Sequence, residues 1–148
     1  MPDTMQLTSP AFTDGGAIPE EHTCDGGDVS PPLAWEGAPA RTDSFALVVT
    51  DPDAGDFVHW VLTAIPGDVR ELAEGEGDRA GTPGRNGFGN TGWGGPCPPS
   101  GEHRYLFKLL AVSAPLDAGD PPTADRVRSV AASATLAHGE LTGVYARR

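Results

Sequence analysis

The sequence predicts a mainly β fold in which two sheets pack against each other, with one or two peripheral helices. Its 148 residues match the size of one domain with a continuous core, so we expect a single unit over residues 1–148. The 20 glycines and 15 prolines recur between short apolar runs, a pattern typical of strands joined by turns. The run FALVV, residues 45–49, is apolar throughout, which indicates a strand buried on both faces.

The remaining elements follow from apolar runs and their flanking residues. Strands are predicted at Met5–Ser9, Phe45–Thr50, Val58–Ile65, Arg104–Ser113 and Glu140–Ala146. Thr123 is a candidate N-cap for a helix that runs to about Ala137, with Gly139 at its end. The segment Ala73–Gly101 is rich in glycine and poor in β-branched residues, so we expect a long ordered loop or a pair of loops there.

The charge of the chain excludes some partners. The net charge is −11, with a single lysine, and such a surface repels nucleic acid and anionic membranes. This composition suits a protein from a salt-rich, halophilic host, although a high-GC genome produces the same bias. The apolar runs are too short to cross a bilayer, and the N-terminus MPDTMQLTSP lacks the features of a signal peptide. We therefore expect a cytoplasmic protein.

The two cysteines, Cys24 and Cys97, are 73 positions apart and neither belongs to a CxxC pair. This spacing excludes a local zinc knuckle. A reducing cytoplasm favours two buried thiols, and a long-range disulfide remains the open alternative.

The glycine-rich stretches do not indicate a nucleotide-binding site. GFGNTG, residues 87–92, matches GxGxxG but is followed by Gly-Gly-Pro instead of a helix, and no glycine run ends in Gly-Lys-Ser/Thr. We therefore do not expect a dinucleotide or a nucleoside triphosphate to bind, and we expect no cofactor.

Polar residues gather where the predicted strands begin and end. Asp51 follows the buried strand within Asp-Pro-Asp, a sequence typical of a turn, at a position where sites also form. His59 opens the next strand, and a hairpin would bring it within hydrogen-bond reach of Asp51. Alternation places His103 and Tyr105 on one face of the longest strand, with Arg104 on the other.

The stretch before His103 is a candidate wall for these side chains. Between Gly94 and Gly101, glycine allows close approach to the main chain, proline stiffens it, and the N–H groups of non-proline residues can bind an anion. The alternative is a stiff connector without a binding role. No function is assigned to His22, or to His138, which the prediction places at a helix end.

Several motifs together resemble one family. HTCDGGDVSPPLAW (22–35), FALVVTDPDA (45–54), FVHWVLTAIP (57–66), GFGNTGWGGPCPPSGEHRYLFKLLAV (87–112) and GELTGVYARR (139–148) lie in the order found in the phosphatidylethanolamine-binding proteins (PEBPs). The likeness is greatest to the prokaryotic branch called Raf-kinase-inhibitor-like proteins, and it spans nearly the whole chain.

The resemblance implies an antiparallel β-sandwich with a pocket for phosphate-type anions. By motif, the pocket residues are Asp51, His59, Gly95, Pro96, Cys97, Pro99, His103 and Tyr105. Members commonly read Asp-Pro-Asp-Ala-Pro, whereas here Gly55 takes the last place, which implies a more flexible rim. Some members inhibit kinases or serine proteases, and prokaryotic relatives often pair, so a protein partner and a homodimer are both expected.

The preferred hypothesis is a non-enzymatic binding protein whose pocket takes phosphate or a phosphorylated headgroup, with Asp51 orienting a histidine. A rival hypothesis is a hydrolase that uses Asp51, His59 and His103 for acid–base chemistry, or a metal-dependent enzyme with the same three residues as ligands. A third is a protein-interaction scaffold without a ligand.

Overall fold

The fold consists of two β-sheets and a helix, seen in a computed structural model that describes residues 3–147. The strands are β1 (Asp3–Thr4), β2 (Gln6–Thr8), β3 (Leu33–Glu36), β4 (Ser44–Asp51), β5 (Phe57–Pro66), β6 (Glu71–Leu72), β7 (Thr82–Pro83), β8 (Glu102–Val112) and β9 (Thr135–Ala146). The helix α1 spans Ala124–Ala131, and short 3-10 turns cover Glu20–His22, Pro52–Ala54 and Gly77–Arg79.

The larger sheet has the strand order β1-β9-β8-β4-β5-β7, and the smaller sheet has the order β2-β3-β6. All pairs are antiparallel except β1 with β9, which run parallel. The prediction of a mainly β, two-sheet fold with a peripheral helix is therefore confirmed.

Strand β4 lies in the middle of the larger sheet, and all eight of its residues are buried. Phe45, Leu47 and Val49 join the core between the two sheets, whereas Ala46 and Val48 join a second core with helix α1. Because side chains alternate between the faces of a strand, a strand covered on both sides needs apolar residues at every position. The prediction from the FALVV run is thus explained.

Aromatic rings fill the space between the sheets. Trp35 of the smaller sheet meets Phe45 of the larger sheet at 5.3 Å between ring centroids, and Phe12 meets Phe107 at 5.6 Å. Removing a buried ring of this kind costs about 3–5 kcal/mol of stability, so these contacts are a large part of what holds the sheets together.

The predicted helix is correct at its start and wrong at its end. The Thr123 hydroxyl accepts a hydrogen bond from the backbone N–H of Arg126, as an N-cap does, but the helix ends at Ala131. The following residues form β9, where His138 pairs with Leu110 of β8 and does not lie at a helix end. A full ladder of backbone hydrogen bonds to β8 outweighs the helix propensity of this alanine-rich stretch.

The remaining predictions differ in smaller ways. The predicted strand Met5–Ser9 corresponds to β2, whereas β1, β6 and β3, in the PPLAWE stretch, had not been predicted. The segment 73–101 is mostly loop, as expected, with one short strand and one 3-10 turn.

The expectation of two free thiols is wrong, because Cys24 and Cys97 form a disulfide with Cα atoms 5.4 Å apart. The turn around Cys24 and the loop around Cys97 run side by side, and the Cys24 N–H donates to the Pro96 carbonyl over 3.1 Å. This backbone contact brings together two positions that are 73 residues apart in the chain.

We expect the free energy of unfolding of the double variant Cys24→Ala/Cys97→Ala to be about 2–4 kcal/mol lower than that of the oxidised wild type. The reason is that a cross-link over a long loop restricts the unfolded chain. Urea unfolding with and without dithiothreitol measures this difference. Reductant should lower the stability of the wild type and leave the double variant unchanged. Two free thiols in the denatured, unreduced wild type would contradict the disulfide.

Candidate functional site

Four residues named from the sequence come together at one end of the larger sheet. Asp51 is the last residue of β4, His59 is near the start of β5, and His103 and Tyr105 are near the start of β8. Because β4 runs antiparallel to both neighbours, its C-terminal end lies beside their N-terminal ends. We call Asp51, His59, His103 and Tyr105 the histidine cluster.

Asp51 has two partners and so holds both a turn and a histidine. One carboxylate oxygen accepts the Asp53 N–H over 2.8 Å, which caps the 3-10 turn, and the other lies 2.6 Å from Nδ1 of His103. Only 2% of Asp51 is exposed. Asp51 therefore caps the turn, as its sequence context predicted, and contacts His103 at the same time. Gly55 closes the turn with φ of 64°, which proline cannot adopt.

Asp53 fastens the same turn to β8 through Arg104. Its carboxylate accepts from the Arg104 backbone N–H at 2.8 Å and from Nε and Nη2 of the guanidinium at 3.1 and 2.9 Å. These hydrogen bonds lower the pKa of Asp53 to about 2. As strand alternation predicted, Arg104 is exposed and makes a separate contact from its neighbours His103 and Tyr105.

His59 lies at a β-bulge in β5. Val49 pairs with Trp60 and Thr50 pairs with Val58, so His59 is the extra residue on β5. Its ring is buried, and Nδ1 lies 2.6 Å from the carbonyl oxygen of Gly94. The predicted partnership with Asp51 is wrong: Asp51 contacts His103 instead, and His59 contacts the Gly94 carbonyl.

The protonation of His59 follows from this contact. A carbonyl only accepts, so Nδ1 carries the proton and donates it to Gly94. Burial lowers the pKa of His59 by more than this hydrogen bond and the charge of Asp51 raise it. At neutral pH the ring is therefore neutral, and its Nε2 is an acceptor.

Tyr105 is 1% exposed and meets the His59 ring edge-on, with 5.1 Å between centroids. Burial raises the pKa of the Tyr105 hydroxyl above its ordinary value of 10.0, so the group stays protonated. Within residues 3–147 this hydroxyl has no hydrogen-bond partner, and it is available as a donor to a ligand.

The Gly95–Pro99 wall has fewer free donors than the sequence suggested. The Gly95 N–H donates to the Asp28 carboxylate over 2.8 Å, and the three prolines have no N–H. In the described chain, only the Cys97 N–H of this stretch is without a hydrogen bond. A Cβ on Gly95 would collide with Asp28 and with the main chain of His22, so glycine is needed for packing against the 20–29 turn, and its predicted role of admitting a ligand is not required.

Two aromatic residues were missed from the sequence. Phe57 packs on His59 with ring centroids 5.1 Å apart, and Phe88 lies 5.7 Å from His59 and 4.8 Å from Phe57. Phe88 is 48% exposed, unusual for a large apolar side chain. A phenylalanine in a glycine-rich loop was the available signal. These rings give the cluster an apolar edge.

The metal-dependent alternative finds no geometric support in this cluster. Among residues 3–147, the one group of three His, Cys, Asp or Glu side chains close enough to share an ion is Glu21, His22 and Glu74. Asp51, His59 and His103 do not form such a group. The thiol of Cys97 is engaged in the disulfide, so the cluster has no thiol nucleophile either.

Acidification should destabilise the protein through His59. Above the ordinary pKa of 6.5 the ring is neutral in both states; below it the unfolded chain takes up the proton first, so stability falls until the lower pKa of the folded state is passed. Urea unfolding between about pH 5 and 7.5 measures this slope. We expect a shallower slope in His59→Gln and no change in the control His138→Gln; parallel slopes in wild type and His59→Gln would contradict the assignment.

The cytoplasmic expectation stays a prediction. No helix in the described part of the chain is long and apolar enough to cross a membrane. A Mycobacterium tuberculosis relative, LppC, described as a candidate lipoprotein, is 39% identical over 149 residues, covering 97% of this chain and 73% of its own length.

Comparison with known proteins gives consistent matches over almost the full length. Residues 8–146 match the family model described as phosphatidylethanolamine-binding protein. A UPF0098 protein of Methanothermobacter thermautotrophicus is 41% identical over 150 residues, covering 97% of this chain and 99% of its own. The crystal structure of Chlamydia trachomatis CT736, described as a candidate PEBP homolog, has a TM-score of 0.91 and 33% identity and covers 99% of both chains. These matches support a binding or regulatory role, and the chain belongs to the phosphatidylethanolamine-binding protein family.

Proposed function

We propose that the protein is a non-enzymatic binding protein whose histidine cluster takes a phosphate-type anion, either free phosphate or a phosphorylated headgroup. The observation that carries this proposal is the 2.6 Å contact between Asp51 and His103. It uses Nδ1 of His103 and leaves Nε2 for a ligand. The His103 side chain is 16% exposed, so a small ion has access to it.

The donors and acceptors of the cluster suit an anion that keeps one proton. The Asp51 carboxylate accepts from Nδ1 of His103, so a protonated His103 presents its Nε2–H to a ligand oxygen. The Tyr105 hydroxyl and the Cys97 N–H add two donors. Neutral His59 offers an acceptor, which complements the P–OH group of a phosphate monoanion and has no partner in an unprotonated oxyanion.

Charge limits the affinity that this site can reach. Asp51 repels a dianion, and the net charge of −11 opposes any anion at low salt. We therefore expect weak binding of isolated phosphate. A phosphorylated segment of a protein partner, docked over the cluster and its Phe88 edge, would add contacts that the free ion lacks. Inhibition of a kinase or a serine protease, and pairing into a homodimer, remain predictions from the family resemblance.

The hydrolase alternative rests on the same Asp51–His103 pair, because a carboxylate also orients a catalytic base. Within residues 3–147, no serine or threonine hydroxyl is hydrogen-bonded to His59 or His103. With Cys97 oxidised, the cluster lacks an activated nucleophile. Turnover of a phosphoester that is lost in His103→Ala would favour the enzyme.

The proposal is tested by titrating the wild type with phosphate and phosphoethanolamine while following the His59 and His103 ring signals by NMR. We expect saturable shifts in both rings. Asp51→Asn should weaken binding by roughly 10-fold or more, because a charge-assisted hydrogen bond contributes about 1.5–3 kcal/mol. Asp53→Asn, which alters the neighbouring carboxylate, is the control and should retain affinity. Unshifted rings at saturating phosphate would reject the site.

Comparing sulfate with phosphate shows whether the pH dependence of binding comes from the protein or from the ligand. Sulfate does not titrate near neutrality, so its affinity should fall as pH rises through the histidine range, when the cationic donor is lost. Equal sulfate affinity at pH 6 and pH 8.5 would contradict a histidine donor. If His59 accepts from a P–OH group, His59→Gln should reduce the preference for phosphate over sulfate at low pH.

A further inference from the structure

We propose that Glu21, His22 and Glu74 bind one divalent transition-metal ion, of which Zn²⁺ is the best match. This site is separate from the histidine cluster and requires no anion binding there. One donor atom from each residue lies within 4.8 Å of the other two. Glu21 and His22 belong to the first 3-10 turn, and Glu74 lies just after β6.

The orientation of the His22 ring is fixed by its other nitrogen. Nδ1 lies 2.8 Å from the carbonyl oxygen of Val29 and must carry the proton, because a carbonyl only accepts. The neutral ring then presents a lone pair at Nε2. This arrangement, in which one ring nitrogen donates to a main-chain oxygen, is typical of metal-binding histidines because it sets the tautomer and holds the ring.

The Nε2 atom of His22 is buried and has no hydrogen-bond partner within residues 3–147. The His22 side chain is 0% exposed, so solvent does not replace the missing partner. A buried polar atom without a partner is unfavourable, because it has lost its contact with water and gained nothing in return. Two carboxylates face it, Glu21 and Glu74, each with an oxygen 3.6 Å away. A lone pair that faces two anions is unfavourable, and a cation bound between them would remove this repulsion.

The separations agree with such a cation. At 3.6 Å the nitrogen and the oxygens are too far apart for good hydrogen bonds. Two ligands bound at about 2.0–2.1 Å to a tetrahedral ion are roughly 3.4 Å apart. Small movements of the Glu21 and Glu74 side chains, which are 59% and 49% exposed, bring their oxygens to that separation.

The donor set favours zinc over the common hard cations. One imidazole nitrogen and two carboxylate oxygens match the His and Glu ligands of zinc sites, and water would complete the coordination. Mg²⁺ and Ca²⁺ prefer oxygen ligands alone. Among divalent first-row metals, zinc binds such a site more strongly than Mn²⁺ or Fe²⁺. His22 and Glu74 are 52 positions apart in the chain, so no short sequence motif contains all three ligands.

The site lies behind the wall of the histidine cluster. The main chain of His22 packs against Gly95, and the Cys24–Cys97 disulfide joins the same turn to the same loop. An ion held by Glu21, His22 and Glu74 would link this turn to the loop after β6. Its expected role is structural, because binding energy for the folded state alone adds to stability.

The test is a zinc titration of the oxidised protein by calorimetry, in about 0.5 M KCl to screen general attraction to the acidic surface. We expect one saturable zinc ion per chain and a rise in melting temperature with zinc. Glu74→Gln and Glu21→Gln should each weaken zinc binding by roughly 10-fold or more. Both glutamates are half-exposed, so these variants should fold, whereas His22→Gln also loses the bond to Val29.

Glu76→Gln is the matched control, since Glu76 is a nearby exposed glutamate whose side chain pairs with Arg79. It should bind zinc as the wild type does. No saturable zinc binding would overturn the proposal, because the three side chains would then not form a metal site. Equal affinities for Zn²⁺ and Mg²⁺, or unchanged zinc affinity in Glu21→Gln/Glu74→Gln, would also overturn it by indicating nonspecific attraction to acidic groups.

Discussion

The structure depends on the burial of β4 between two cores. Its backbone groups pair with β5 on one side and β8 on the other, and its side chains pack alternately against the smaller sheet and helix α1. A strand so constrained has little freedom in register. Asp51, at its end, is therefore held firmly enough to position both a turn and His103.

The sequence predicted those features that depend on local pattern. The all-apolar run located β4, the Asp-Pro-Asp turn located Asp51, and alternation placed His103 and Tyr105 together. It failed where distant segments meet or where pairing overrides propensity. Cys24 and Cys97 lie on two loops that a backbone hydrogen bond holds side by side, and His59, at a bulge in β5, contacts the Gly94 carbonyl instead of Asp51. The end of α1 was set by the β8–β9 ladder.

Support for the candidate anion site comes from residues outside it. Gly95, whose N–H the sequence offered to a ligand, is bound to Asp28 and packed on the turn that carries His22. The disulfide attaches that turn to the wall a second time. Most of the main chain of the wall is therefore engaged in contacts within the protein. The proposed anion site depends mainly on side chains from three strands.

The bulge at His59 interrupts the regular pairing of β4 with β5 at the end of the sheet where the histidine cluster lies. Between Val49 and Thr50 the partner strand has one residue more than continuous pairing requires. Deleting that residue would restore continuous pairing and leave His103 as the one imidazole of the cluster, still in contact with Asp51. The second imidazole of the cluster is thus supplied by the one residue that the regular pairing of β4 with β5 leaves out at this end of the sheet.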